Sequence, residues 1–198
     1  SRSTSARHDA DLGSDAMEQV IILSGPPAAG KSSVAEALCE RFDRMIHVEV
    51  DDLRHAVKAG YRHPWDDDRQ AREQRLLAVR NACAIARESV ALRYAVVISD
   101  VVTAEAIPQY REALAGLGVP VHLVTLLPTL DVTLARDAAR HGDLEARIRA
   151  LHPELLRDTA SGAVRGAVLD TSGDIDARAT ADRVQDAVSR GAAVFVEG

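Results

Sequence analysis

Eight consecutive residues carry the strongest chemical signal in the chain. Gly25-Pro26-Pro27-Ala28-Ala29-Gly30-Lys31-Ser32 fits G-x-x-x-x-G-K-[ST] at every fixed position. Glycines in such a turn let backbone N–H groups point inward around a phosphate. Lys31 supplies a cation that follows the charge on β- and γ-phosphates, and the Ser32 hydroxyl is a hard oxygen ligand suited to Mg²⁺. On this spacing Gly25, Ala28, Ala29, Gly30, Lys31, Ser32 and Ser33 are expected to hold a nucleotide's phosphates. The chain has only two lysines, Lys31 and Lys58, and a chance match is rare, on the order of one chain in a thousand.

Further polar residues follow at the ends of apolar runs. Asp51, in Val48-Glu49-Val50-Asp51-Asp52-Leu53-Arg54, can accept the proton of a hydroxyl that attacks a γ-phosphate. Arg54, one helical turn on, can hold a polar substrate. The competing reading is that Asp51 or Asp52 caps a short helix. Asp100, after Ile98-Ser99, is expected on the substrate side and at the metal, orienting Mg²⁺ through water; an acid that caps a loop is the alternative. Arg136 and Arg140 lie four apart and share a helix face, from which they could close over a transferring phosphoryl group. Arg147 and Arg149 read as solvated, salt-bridged residues. Thr171, in Asp170-Thr171-Ser172-Gly173, is expected to border the nucleotide, although turn chemistry alone also selects these residues. His55, His63, His141 and His152 have no metal-ligand spacing.

Regular elements must present these groups. Val20–Leu23 is a short apolar run ended by turn residues, the pattern of a buried parallel strand. Further strands are expected at 45–50, 95–98, 119–127 and 167–170. Helices are expected at 31–42, 51–58, 69–92, 104–116, 129–140 and 174–190, with residues 141–152 irregular and a short helical piece beginning at Pro153. In the long helix, Leu76, Val79, Cys83, Ala86 and Val90 recur at three and four, which makes one buried stripe. Five strands alternating with helices imply an α/β fold: a five-stranded parallel sheet with helices on both faces. Carboxyl ends of such strands line the ligand crevice, so Asp51 and Asp100 share a rim with the glycine-rich turn. Residues 18–190 read as one domain and 191–198 as a tail without assignment. Residues 1–17 are polar and aperiodic, and read as a disordered leader or an appended remnant, with Met17 as a natural start.

Composition narrows the function classes. Of 198 residues 46% are hydrophobic and 27% charged, with a net charge of −6. That is a globular composition, and the negative balance disfavours nucleic acid as a partner. No apolar run is long enough to span a bilayer, so no membrane role is expected. Cys39 and Cys83 stand far apart in helical segments and read as reduced, buried thiols of a cytoplasmic protein. A guanine-reading Asn-Lys-x-Asp motif is excluded, because the only asparagine is Asn81, inside a helix. Nothing in the sequence fixes an oligomeric state.

Together these segments resemble the small P-loop kinase superfamily, in its AAA-domain-like, zeta-toxin and chloramphenicol-phosphotransferase branch. GPPAAGKSS, VEVDDLRH, VVISDVVT, HLVTLLPTLDVTLARDAAR and VLDTSG occur in the order of that branch, over about residues 18–190. The resemblance implies a P-loop NTPase fold with a short arginine-containing lid, and ATP with Mg²⁺ as cofactors. It implies that Asp51 is the base or hydroxyl ligand, Asp100 the strand-end acid, Arg136 and Arg140 lid arginines and the DTSG loop the segment near adenine. Many relatives carry two adjacent acids at the end of the third strand; here the first is Ser99.

The expected activity is ATP-dependent transfer of a phosphoryl group to a small-molecule hydroxyl, such as that of an antibiotic or a sugar-like metabolite. An ATP-binding regulatory or resistance module without transfer, and a polynucleotide 5′-kinase, are the alternatives.

Overall fold

A computed structural model describes residues 18–140 and 142–197. The expected leader at 1–17 and His141 lie outside the described residues. The elements are β1 (Val20–Ser24), α1 (Lys31–Cys39), β2 (Met45–Glu49), α2 (Val50–His55), α3 (Arg69–Ala91), β3 (Ala95–Ser99) and α4 (Ile107–Leu114). They continue with β4 (Val121–Leu126), α5 (Leu130–Arg140), α6 (Glu145–Ala160), β5 (Ala167–Leu169), α7 (Ala177–Ser189) and β6 (Val194–Val196).

Five strands are parallel, in the order β2-β3-β1-β4-β5. β1 is central and fully buried, and its alternate residues serve two cores. Val20 and Ile22 pack with Val79, Cys83, Ala86 and Tyr110 of α3 and α4. Ile21 and Leu23 pack with Val34, Leu38 and Val184 of α1 and α7. The sheet is therefore covered on both faces, which explains why its inner strands are continuously apolar.

Two expectations are corrected. The sheet has a sixth strand, because the tail supplies β6, antiparallel to β4 through Val121–Val196 and His122–Val194. β5 pairs with the other end of β4, from Val124 to Leu126, so two three-residue strands share one edge. Phe195 drives the docking: it is buried in the core, and Arg111 lies 5.1 Å over its ring. The second correction is α6. It starts at Glu145, and Pro153 lies inside it. Ile148, His152 and Leu155 form its buried stripe, and His152 shares a 2.8 Å hydrogen bond with the Pro128 carbonyl. This packing outweighs the loss of one N–H inside the helix.

The long-helix stripe is buried from Val79 onward, while Leu76 is half-buried. Cys83 is buried and Cys39 half-buried, both as free thiols; burial pushes the Cys83 thiol up to about 12. Among the described residues no helix is long and apolar enough to cross a membrane.

Candidate active site

The carboxyl ends of β1, β2 and β3 bring the site together. Gly25 leaves β1 at φ 148°, and a Cβ there would stand 2.4 Å from the Leu126 carbonyl oxygen. Only glycine lets the turn lie this close to β4. Gly30, at φ 96°, is the N-cap of α1 and offers no side-chain cap. The first N–H groups of α1 therefore remain available to an anion, with the positive end of the helix behind them. Ala28 adopts a left-handed φ of 61°, a strained conformation for an L-residue that turns the loop. The loop bends back on itself, with Ala29 N–H donating to the Pro26 carbonyl at 3.2 Å.

Lys31 folds over this loop. Its Nζ donates to the carbonyls of Gly25 at 2.9 Å and Pro26 at 3.1 Å. Desolvation by burial lowers its pKa, while Glu49, Asp51 and Asp100 act to raise it. The ammonium thus sits in a partly dehydrated site facing carboxylates, poised for stronger anionic partners. Ser32 is exposed on the rim, with Ser33 half-buried beside it.

Glu49, at the end of β2, went unrecognised in the sequence and is central in the structure. Its Oε2 accepts a 2.7 Å hydrogen bond from Ser32 Oγ. Burial pushes its carboxyl up, and the Ser32 bond and Lys31 partly oppose this. The signal available in the sequence was Glu49-Val50-Asp51, two acids either side of a strand end. A hard oxygen pair of this kind fits Mg²⁺, which prefers oxygen and keeps several waters and phosphate oxygens as further ligands. Among the described residues no group of three or more His, Cys, Asp or Glu could hold a metal by itself.

Asp51 is exposed in the first turn of α2 and pairs with Arg54. The same guanidinium reaches Asp100 Oδ1 at 2.7 Å, so Arg54 joins the two predicted acids. Asp100 is almost fully buried. Its other oxygen accepts from Tyr110 Oη at 2.8 Å, and Val101 N–H donates to Oδ1 at 2.8 Å. Asp100, expected on the substrate side and at the metal, anchors Arg54 here. Ser99, where the resemblance implies a second acid, shares a 2.8 Å hydrogen bond with His47 Nε2.

The expected lid arginines diverge. Arg136 donates to the Thr171 carbonyl at 2.8 Å and contacts the Ala29 carbonyl at 3.5 Å, tying the glycine-rich loop to the DTSG loop. Thr171 itself is buried, and its Oγ1 has no partner among the described residues; its carbonyl does the positioning. Asp170 shapes that loop by accepting from Ser172 N–H at 2.9 Å. Arg140 is exposed and makes no ion pair among the described residues. The salt-bridged reading holds for Arg149, which pairs with Glu145 at 2.8 Å, and fails for Arg147. Arg147 lies 4.5 Å over the Trp65 ring, within electrostatic reach of Asp51 and Arg54.

Asp51, Arg54, Trp65 and Arg147 line a cavity of ≈ 650 Å³ that reaches Pro27 of the loop. That volume suits a small-molecule ligand.

A family profile described as an AAA domain matches residues 20–170. The structure is similar to the tunicamycin resistance protein of Deinococcus radiodurans, with a TM-score of 0.64 at 19% identity, covering 86% of this chain and 95% of that one. It is similar to shikimate kinase from Acinetobacter baumannii, solved in complex with shikimate, with a TM-score of 0.60 at 21% identity and coverage of 88% and 95%. The APS kinase of Mycobacterium tuberculosis, solved with AMPPNP and APS, gives 0.58 at 17% identity and coverage of 87% and 98%. What these likenesses establish is a common fold.

Proposed function

Because the chain belongs to the AAA domain family, matched over residues 20–170, we propose that it is a P-loop phosphotransferase of the kinase type. It moves the γ-phosphate of ATP to a hydroxyl of a small molecule. Solved proteins of the same fold include kinases in complex with shikimate and with AMPPNP and APS, which supports ATP as donor and a small acceptor. The observation that carries the reading is the position of Asp51. It lines the ≈ 650 Å³ cavity together with Pro27 of the P-loop, so a hydroxyl held there meets a carboxylate on one side and the phosphate cradle on the other.

The chain's own groups divide the work. The loop from Gly25 to Ser33 binds the nucleotide phosphates through its N–H groups, and Lys31 leaves the Gly25 and Pro26 carbonyls for phosphate oxygens. Arg54 holds the Asp51 carboxylate in place. Asp51 takes the acceptor's proton as its oxygen bonds to the γ-phosphorus and the bond to the β,γ-bridging oxygen breaks, leaving ADP. Arg147 is placed to offset charge on the acceptor side, and Arg136 to steady the nucleotide side. Ser32 and Glu49 would hold Mg²⁺ with its waters, and the ion would add Lewis-acid charge compensation to the phosphate oxygens. A module that binds ATP without transfer would leave Asp51 and its cavity without a task.

Acceptor-dependent ADP release tests the reading. Wild-type protein should release ADP faster with an acceptor from a hydroxyl-compound panel. Asp51→Asn should lose that stimulation while still binding ATP. Full turnover by Asp51→Asn would remove Asp51 from the base role.

A further inference from the structure

Within the phosphotransferase reading, on which the choice of acceptor rests, the lining of the acceptor cavity has a chemical preference of its own. Three guanidinium groups line the cavity, Arg54, Arg75 and Arg147, and each is engaged. Arg54 is held between Asp51 and Asp100. Arg75 donates to the carbonyls of Pro64 at 3.1 Å and Asp66 at 3.0 Å, and faces Glu105 at 3.7 Å. Arg147 lies over the Trp65 ring and within electrostatic reach of Asp51 and Glu154. Five carboxylates line the same space, those of Asp51, Asp66, Asp67, Glu105 and Glu154. Asp51 and Glu105 are taken up by Arg54 and Arg75, and Asp67 by Arg72. Among the described residues this leaves Asp66 and Glu154 facing Arg147. An anionic acceptor therefore meets a small excess of negative charge, whereas a hydroxyl or an ammonium meets acceptors.

Planar side chains form a second feature of the wall. His55 stacks on Tyr61 at 5.6 Å, Tyr61 meets His63 edge-on at 5.4 Å, and His63 stacks on Trp65 at 4.5 Å. These rings pack on one another, and with Arg147 over Trp65 they make a weakly polar wall. We propose that the acceptor is a hydroxyl-rich compound, neutral or amine-bearing, and that carboxylated, sulfated and phosphorylated acceptors are rejected.

Trp65 is the only tryptophan of the chain, so its fluorescence reports on this cavity directly and without turnover. The full chain, loaded with Mg²⁺ and a non-hydrolysable ATP analogue, is titrated with maltose, kanamycin and maltobionate as neutral, amine-bearing and anionic probes. Saturable changes with maltose or kanamycin and none with maltobionate are expected. Glu154→Gln should weaken kanamycin about tenfold relative to maltose, the loss of one favourable charge contact. Equal or tighter binding of maltobionate, or silence from all three probes, overturns the assignment. ADP release with an anionic acceptor would overturn the acceptor class and keep the kinase reading. Probe binding without ADP release from any hydroxyl compound would do the reverse.

Discussion

Ser32 Oγ donates to Glu49 Oε2 across 2.7 Å, linking the first turn of α1 to the last residue of β2. The hydroxyl best placed to ligate a metal is therefore oriented by a carboxylate from a different strand. As one of the two oxygen ligands that would hold Mg²⁺, Glu49 should matter to metal affinity at least as much as an outer partner, whose loss costs about 10–100-fold. Glu49→Gln should raise the Mg²⁺ concentration for half-maximal ADP release at least about tenfold, with a smaller effect on metal-free nucleotide binding. An unchanged Mg²⁺ titration would separate Glu49 from the metal.

Arg54 and Tyr110 support Asp100 from two sides, and the two contacts differ in kind. Arg54→Ala leaves a buried carboxylate without its counter-charge and should cost about 3–5 kcal/mol of stability. Tyr110→Phe removes one hydrogen bond from an uncharged donor to the same carboxylate and should cost about 1.5–3 kcal/mol. Urea unfolding of both variants measures the order, which should be Arg54→Ala well below Tyr110→Phe.

Arg136 and Arg147 should separate kinetically. Arg136→Ala frees the Ala29 and Thr171 carbonyls and should raise KM for ATP with little change for the acceptor. Arg147→Ala removes the contact with Trp65 and the positive charge beside Asp51, worth about 0.5–2 kcal/mol for the stack alone. It should raise KM for the acceptor and lower kcat, leaving ATP affinity close to wild type. The steady-state constants of the two variants decide it.

Burial lowers the Lys31 pKa below 10.5, which gives nucleotide affinity an alkaline limit. As pH rises through the folded value, Lys31 loses its proton and phosphate binding weakens. In the same window the unfolded chain binds more protons than the folded one, so the stability of the nucleotide-free protein rises with pH. Calorimetric ATP affinity should fall on the alkaline side below pH 10.5, and thermal stability should rise there relative to Lys31→Arg, whose side chain stays charged.

The P-loop was fully legible in sequence because its backbone geometry demands particular residues: Gly25 has no room for a Cβ, and Gly30 caps α1 with a positive φ. The inner strands were legible because burial on both faces forces continuous apolar runs. The partner of Ser32 was not, since strand alternation says which face Glu49 takes and not which hydroxyl it meets. Trp65 and Arg147 lie 4.5 Å apart yet far apart in the chain, and no local pattern encodes such a contact. Pro153 read as a helix start because that is its commonest helical position, while the stripe from Ile148 to Leu155 was masked by a histidine. β6 was missed because three residues are too few to show a period.

Phosphoryl transfer at this site requires the loop from Gly25 to Ser33 to hold a nucleotide by its phosphates. Isothermal titration of the wild-type protein and Lys31→Ala with Mg²⁺ and ATP tests this most directly. Saturable heat at one site per chain for wild type, and its loss in Lys31→Ala with the fold intact by circular dichroism, is the result expected. No heat from the wild type, or equal binding by Lys31→Ala, would contradict it.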